Sequence, residues 1–199
     1  KDELRQLADV GALNWVGRVE QSHRRESLWQ SELALKPAGP LLEHLEPLAE
    51  ESPLARMTRE ERVVADFRGT GLTVGIHPVG LRRAQLQALG VKTSAEIRDT
   101  RHNARVRIAG CVICRQRPET AKGFAFFSLE DETGITNTIV KPDFFEKNRL
   151  ILTSEPYLLM EGILQNEGAP SIRVDRVRAL SFGPELIKPT DYIRSHDFH

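Results

Sequence analysis

The residues best suited to chemistry in this sequence are cations and aromatics, not acids or nucleophiles. Arg115, Arg117 and Lys122 punctuate the run Arg-Gln-Arg-Pro-Glu-Thr-Ala-Lys-Gly, and Phe124 and Phe126 follow at alternate positions. Guanidinium and ammonium groups pair with phosphate, and a phenylalanine face stacks on any base. Together they make the elements of a single-stranded nucleic-acid site. Arg107 and Lys141, on the strands read before and after this stretch, extend the set. By alternation Ala125, Phe127 and Leu129 take the core side, and Phe124, Phe126 and Ser128 the outer side. The competing reading covers one of the two phenylalanines with a neighbouring helix or domain.

No catalytic or metal-binding constellation accompanies them. There is no Gly-rich phosphate loop, no His-Glu-x-x-His and no Ser/His/Asp set. The histidines at 23, 44, 77, 102, 196 and 199 are scattered, with only the last two near metal-ligand spacing. Glu130-Asp131-Glu132-Thr133-Gly134 gathers three carboxylates, but a tight turn joining two strands explains it more economically than magnesium does. Cys111 and Cys114 stand in a β-like run. Three residues along a strand separate their α-carbons by about 10 Å and turn their side chains to opposite faces, too far for a disulfide. Two reduced, structural cysteines and a cytoplasmic location are the expectation.

Hydrophobic content of 40% and charged content of 28% are ordinary for a globular chain, and the formal net charge is zero. That excludes a globally basic nucleic-acid binder. The distribution is uneven, however. Residues 42–61 hold six acids against Arg56 and Arg59, whereas residues 82–122 hold ten bases against Glu96, Asp99 and Glu119. A local positive field recruits phosphate even in a neutral chain. No apolar run is long enough to span a membrane, and the first residues do not read as a signal peptide.

The elements that must position the basic loop follow from periodicity. Leu4, Leu7 and Ala8 have helical spacing up to Gly11, and a second helix runs from Ser22 to about Leu35 with Trp29 and Leu33 as its packing pair. Residues 36–57 form a Pro-rich acidic linker. Thr58-Arg59-Glu60-Glu61 opens a helix that stops at Gly69 and Gly71, and Thr93-Ser94-Ala95-Glu96 opens another. Between them Pro78 starts a helix with Leu81, Leu86 and Leu89 as its apolar face. Arg82 and Arg83 are expected on its solvent side. Residues 58–104 are thus a helical connector.

From Arg105 the period becomes two. Strands are expected at 105–117, 123–130, 135–141, 156–166 and 171–179, with a helix over 143–152. Three strands, a helix and two strands is the order of the OB-fold, a five-stranded Greek-key barrel. The fold class is α+β, with a helical N-terminal part, a barrel over 105–180 and a tail over 181–199.

The wording of several stretches resembles a family. Leu7-Ala8, Gly11-Ala12-Leu13, Arg24-Arg25 and Leu28-Trp29-Gln30 are similar to the end of a tandem helix-hairpin-helix region, which residues 1–35 would represent. Asp66-Phe67-Arg68-Gly69-Thr70-Gly71-Leu72-Thr73-Val74-Gly75 with His77-Pro78 resembles the connecting segment of bacterial C-family DNA polymerases. Arg115-Gln116-Arg117-Pro118, Thr120-Ala121-Lys122-Gly123 and Leu129-Glu130-Asp131-Glu132-Thr133-Gly134 resemble their OB domain, in the wording of the error-prone branch.

The resemblance implies the C-terminal, DNA-binding part of an error-prone polymerase acting in damage-induced mutagenesis and translesion synthesis. Its partners are single-stranded or primer-template DNA, an accessory Y-family-like protein and a sliding clamp. No cofactor is expected in this stretch, since the magnesium-binding aspartates of such an enzyme belong to a polymerase domain not in this sequence. Gln30-Ser31-Glu32-Leu33-Ala34-Leu35 lacks the aromatic of a clamp-binding peptide. The last residues come shortly after the final strand, which fits the error-prone branch better than a replicative alpha subunit if the end is natural. Two alternatives stand beside this reading: a protein-docking module holding an accessory subunit, and the equivalent region of a replicative polymerase III alpha subunit. An anticodon-binding OB domain fits the helical N-terminal half poorly.

Overall fold

The computed structural model of the chain describes residues 1–16, 22–35, 52–166, 168–180 and 196–198. The linker expected over 36–57 lies outside the described residues as far as 51, and the tail expected over 181–199 lies outside them except for 196–198. The chain divides into two units, Lys1–Val74 and Gly75–His199, so the boundary falls inside the expected connector. No helix among the described residues is long and apolar enough to cross a membrane.

The described residues of the first unit form the helices α1 (Asp2–Asp9), α2 (Arg24–Ala34) and α3 (Arg59–Thr70). The Thr58 capping box forms in both directions, with Glu61 N donating to Thr58 Oγ1 at 3.1 Å and Thr58 N to Glu61 Oε2 at 2.8 Å. This satisfies two amides that helix geometry leaves orphaned. The packing face of α2 differs from the one expected. Ser27 and Ser31 are its buried residues, while Trp29 and Leu33 are half-buried. Ser27 Oγ donates to Asn14 Oδ1 and Ser31 Oγ to Ser27 O, so small hydroxyls with local partners allow a close approach that a ring would prevent.

In the second unit a 3-10 turn (Pro78–Arg82) leads into α4 (Arg83–Ala88), and α5 (Ser94–Arg98) precedes the sheet. The strands are β1 (Arg105–Gln116), β2 (Ala125–Asp131), β3 (Gly134–Val140), β4 (Tyr157–Gln165) and β5 (Ser171–Ala179). The single helix expected over 143–152 is two, α6 (Pro142–Lys147) and α7 (Arg149–Ser154), broken at Asn148. The pairings run β1–β2, β2–β3, β3–β5, β5–β4 and β4–β1, which closes the five strands into the expected OB barrel. A sixth strand, β6 (His196–Phe198), pairs in parallel with Cys114–Gln116 of β1.

Closure depends on β1 changing partner. Its first half pairs with β4 and its second half with β2. Gly110 stands at the crossing, where a Cβ would lie 2.8 Å from Glu130 O and 2.9 Å from Leu129 Cβ. Only glycine lets the backbones approach so closely. A bulge follows between Val112 and Cys114. It overturns the expectation that the two cysteine side chains take opposite faces, because Cys111 now stands opposite Glu130 and Cys114 opposite Ser128, both outward residues of β2. Both thiols are unbridged, and burial pushes the Cys111 thiol up to about 12.

The barrel interior is filled by Phe127, Leu129, Val106, Ile108, Met160 and Ile172 with their neighbours, and Leu152 and Phe145 of the two short helices join them. A second apolar cluster lies outside the barrel, where Val79, Leu86 and Val91 cover Ala109, Cys111 and Tyr157. The 78–91 segment is therefore a cover over β1 and β4. Leu89, expected on its packing face, is 58% exposed, because the 3-10 turn rotates Val79 into that role.

Asp131 fixes this cover in place. Its Oδ1 accepts from Thr133 N, Thr133 Oγ1 and Gly134 N at 2.7, 2.7 and 3.1 Å, which builds the β2–β3 turn. Its Oδ2 accepts from Ser94 N at 2.7 Å and lies 3.5 Å from Arg83 Nη2. Arg83, expected in solvent, instead forks onto Glu132 as well. The acidic run is a turn, as expected, and a clasp besides. Replacing Asp131 with Ala strands the buried Ser94 amide, unties the β2–β3 turn and is expected to destabilise this unit by about 3 kcal/mol. Urea unfolding, with hydrogen exchange at the Ser94 and Gly134 amides, measures it; unchanged protection there would refute the clasp.

A second polar network covers the outer face of β1, β4 and β5. Arg107 Nε donates to Glu161 Oε2 at 2.8 Å and Arg105 Nε to Oε1 at 2.6 Å, while Arg105 also forks onto Asp175. Arg107 Nη1 donates to Leu89 O at 2.9 Å. Arg107, a candidate phosphate ligand by sequence, is thereby committed to the cover and to β4. The hydrogen bond from Arg107, then that from Arg105, holds the Glu161 carboxyl down to about 2 from an ordinary 4.5. A depressed carboxylate stabilises the fold in full above its unfolded pKa and loses that contribution as pH falls through its folded one. Glu161→Gln is expected to be less stable than the parent at neutral pH, with the gap closing between about pH 4.5 and 2. Denaturant midpoints taken across that range test it, and a gap independent of pH would refute it.

Candidate nucleic-acid interface

The cover lies over β1 and β4, and among the described residues the outer side chains of β2 and β3 are half-exposed or exposed. Burial along β2 alternates strictly: Ala125, Phe127, Leu129 and Asp131 are buried, while Phe126, Ser128 and Glu130 are half-exposed. β3 alternates in the same way, with Ile135, Asn137 and Ile139 outward. Strand register assembles these residues into rows. Gln116 stands opposite Phe126, Phe126 opposite Ile139, and Ile139 beside Arg173 of β5. The next row is Cys114, Ser128, Asn137 and Ser171, with Ser128 Oγ and Asn137 Oδ1 2.9 Å apart. An apolar strip thus runs between a carboxamide and a cation, with a polar row behind it.

The β1–β2 loop adjoins this face. Glu119–Ala121 make a 3-10 turn, and Lys122 and Gly123 follow with positive φ of 52° and 82°. A Cβ on Gly123 would lie 3.3 Å from Pro142 Cγ, so the loop folds onto the residues that open α6. Lys141, the N-cap of α6, therefore adjoins the loop and is exposed. Lys122 is exposed too. The Arg117 guanidinium lies 4.6 Å from the centroid of the Phe145 ring and 3.0 Å from Glu146. That ion pair is open to water on both sides, 42% and 54% exposed, and such pairs contribute little. Glu146 positions Arg117 without tying it up.

The sequence candidates accordingly separate. Arg117, Lys122 and Lys141 come together at one end of the barrel, and Phe126 lies centrally on the open face. Phe124, just ahead of β2, is half-buried, its amide donating to Ala121 O. Arg115 is a correction. The bulge in β1 places it opposite the core residue Phe127, and its Nε and Nη2 donate to Leu152 O and Glu155 O at 3.0 and 2.7 Å. It caps the end of α7, where carbonyls lack helical partners and a cation meets the negative end of the helix dipole. Arg107 likewise belongs to the opposite face.

Gln116, Ile139, Asn137 and Arg173 were missed by sequence reasoning. Alternation alone turns Arg173 outward, since Ile172 and Val174 beside it are buried. Its place next to Ile139 needs the crossover that lays β5 beside β3. Arg173 is exposed and makes no ion pair with any described residue.

No protein-family model matches the chain. Curated relatives do. An error-prone DNA polymerase of Anaeromyxobacter dehalogenans strain 2CP-C is 38% identical over 196 residues, covering 98% of this chain and 17% of that protein. The error-prone DNA polymerase of Aromatoleum aromaticum is 41% identical over 167 residues, covering 83% and 15%, and that of Pseudomonas aeruginosa is 34% identical over 198 residues, covering 98% and 18%. Among solved structures, the OBody AM1L10 bound to hen egg-white lysozyme is 18% identical with a TM-score of 0.39 and covers 46% of this chain and 93% of its own. Asparaginyl-tRNA synthetase from Pyrococcus horikoshii is 22% identical with a TM-score of 0.34, covering 45% and 23%. The chain spans 15–18% of the length of these curated relatives, and over that span it is a relative of the bacterial error-prone DNA polymerases.

Proposed function

We propose that this chain is the C-terminal single-strand-handling segment of an error-prone DNA polymerase, with DNA as its ligand. The observation that carries this is the row Gln116–Phe126–Ile139–Arg173 on the outer β2–β3 face, beside a loop that presents Arg117, Lys122 and Lys141. OB barrels bind oligonucleotides on this face and its bordering loops. A base stacks on Phe126, packed beside Ile139, and Gln116 meets the base edge. Two inter-strand spacings, about 10 Å, separate Arg173 from Phe126, so its guanidinium reaches a neighbouring phosphate.

In this reading the segment guides a strand. Nucleotidyl transfer and its magnesium ions, damage-induced mutagenesis, translesion synthesis, the accessory Y-family-like protein and the sliding clamp are attributes of the whole polymerase that the resemblance implies. We extend them to this protein on that ground.

Phe126→Ala is expected to weaken binding of a single-stranded oligonucleotide by about 1–3 kcal/mol, the worth of one stacked base. Lys122→Ala with Arg173→Ala is expected to flatten the dependence of log affinity on log salt by about 0.7 for each phosphate no longer neutralised. Arg115→Ala is expected to lower the thermal midpoint and leave that slope alone. Anisotropy titrations over a range of salt measure all three. A slope untouched by the double variant, or retention that survives high salt, would instead favour the docking-module reading.

A further inference from the structure

One edge of β1 changes occupant part way along. β1 runs for 12 residues, and β4 pairs with it over Arg105–Cys111 only. Val112 N still donates to Pro156 O at 2.7 Å, but the residues before Pro156 belong to the end of α7. β2 takes the opposite edge of β1 over Cys111–Gln116. Beyond Val112, then, the β4 side of β1 is left to partners from outside the barrel.

Such an edge is a template for any extended segment, and proteins commonly blunt theirs with a lysine, a proline or a cover. The run Ile113-Cys114-Arg115-Gln116 holds neither lysine nor proline. The edge is also stiff. β2 braces it from the other side, and Arg115 Nε and Nη2 tie it to Leu152 O and Glu155 O at the end of α7. A strand ordered in advance loses less freedom when it pairs.

The seat takes a strand in this structure. β6 lies along it in parallel, with His196 beside Cys114, Asp197 beside Arg115 and Phe198 beside Gln116. Among the described residues β6 pairs with no other strand. Three residues on one neighbour are a small hold, since two-stranded pairing alone is marginal in water. Residues 180–195 separate β6 from β5, so no tight hairpin turn dictates its register. A stiff edge is thus filled by a lightly held strand. We propose that the edge of β1 at Cys114–Gln116 is a docking seat for an extended protein segment, filled in this chain by its own β6 and open to exchange with a segment supplied in trans. Pairing of this kind is made by main-chain hydrogen bonds, so the partner is an extended peptide without proline at its donating positions. The seat is built of backbone and does not rest on the nucleic-acid reading.

Hydrogen exchange in the whole chain and in a variant lacking residues 196–199 tests this. Removal is expected to speed exchange of the edge-facing amides within Ile113–Gln116 by about tenfold. A synthetic peptide with the sequence of residues 191–199 is expected to restore their protection. The whole chain is expected to take that peptide more weakly, because a tethered β6 competes at high effective concentration. Asp197→Pro with Phe198→Pro, made in the whole chain, removes the donor whichever of the alternating amides faces β1, and is expected to reproduce the faster exchange. The amides of Ile108 and Met160, paired across β1 and β4, report an intact barrel in each variant. Protection that rises with the concentration of the whole chain assigns the seated strand to a second copy, which supports exchange in trans. Edge amides unchanged in both variants, or a diproline peptide that binds the shortened chain as well as the parent peptide does, overturns the proposal.

Discussion

One buried carboxylate determines which face of the barrel is open. Asp131 closes the β2–β3 turn with one oxygen and holds the start of α5 and Arg83 with the other. Thr133 Oγ1 and Thr136 Oγ1 add bonds to Ala95 N and Ser94 Oγ. The helical cover is thereby anchored at the tip of the hairpin, and its apolar residues descend over β1 and β4. Had the cover lain over β2 and β3, Phe126 and Ile139 would be core and no strand of nucleic acid could reach them. A buried charge is costly unless fully bonded, and this one has donors for both oxygens.

The clasp also explains why charge density along the sequence overstates the grip. Of the ten bases between 82 and 122, Arg83 serves the clasp, Arg105 and Arg107 hold Glu161, and Arg115 caps α7. Each of these bonds joins residues at least 37 positions apart in the sequence, so none shows in a local window. A cation count measures the field near the surface; partner geometry decides which cations remain to meet phosphate. Arg117 and Lys122 of the loop, and Arg173 beyond the counted window, stand beside the outer face of β2 and β3 instead.

Much of the barrel was legible because alternation is a local signal. Ala125–Asp131 reads buried and exposed in strict turn, which placed Phe126 outward without knowledge of its neighbours. The order of strands and helix then gave the topology. The errors share one cause, which is that single residues with non-local consequences break a period. The bulge after Val112 flips Arg115 inward and brings Cys114 to the outer side. The 3-10 turn at Pro78 exchanges Leu89 for Val79. Ser27 and Ser31 pack where Trp29 and Leu33 carried the hydrophobic signal. β6 is three residues long, too short to show any period.

The open face has a physical character suited to a strand in motion. Its apolar strip is narrow, one ring and one isoleucine wide, and the cations that border it stand at its edges. Stacking on one ring discriminates little among bases, since every base has a π-face. A zero net charge gives the chain no long-range pull on DNA beyond this local patch. Tight or sequence-selective binding would require buried donors aimed at base edges, and the polar row behind the strip answers itself instead, Ser128 bonding Asn137. On the proposed reading, such a contact would hold a strand of any sequence weakly, through one stacked base and a few phosphates at its edges.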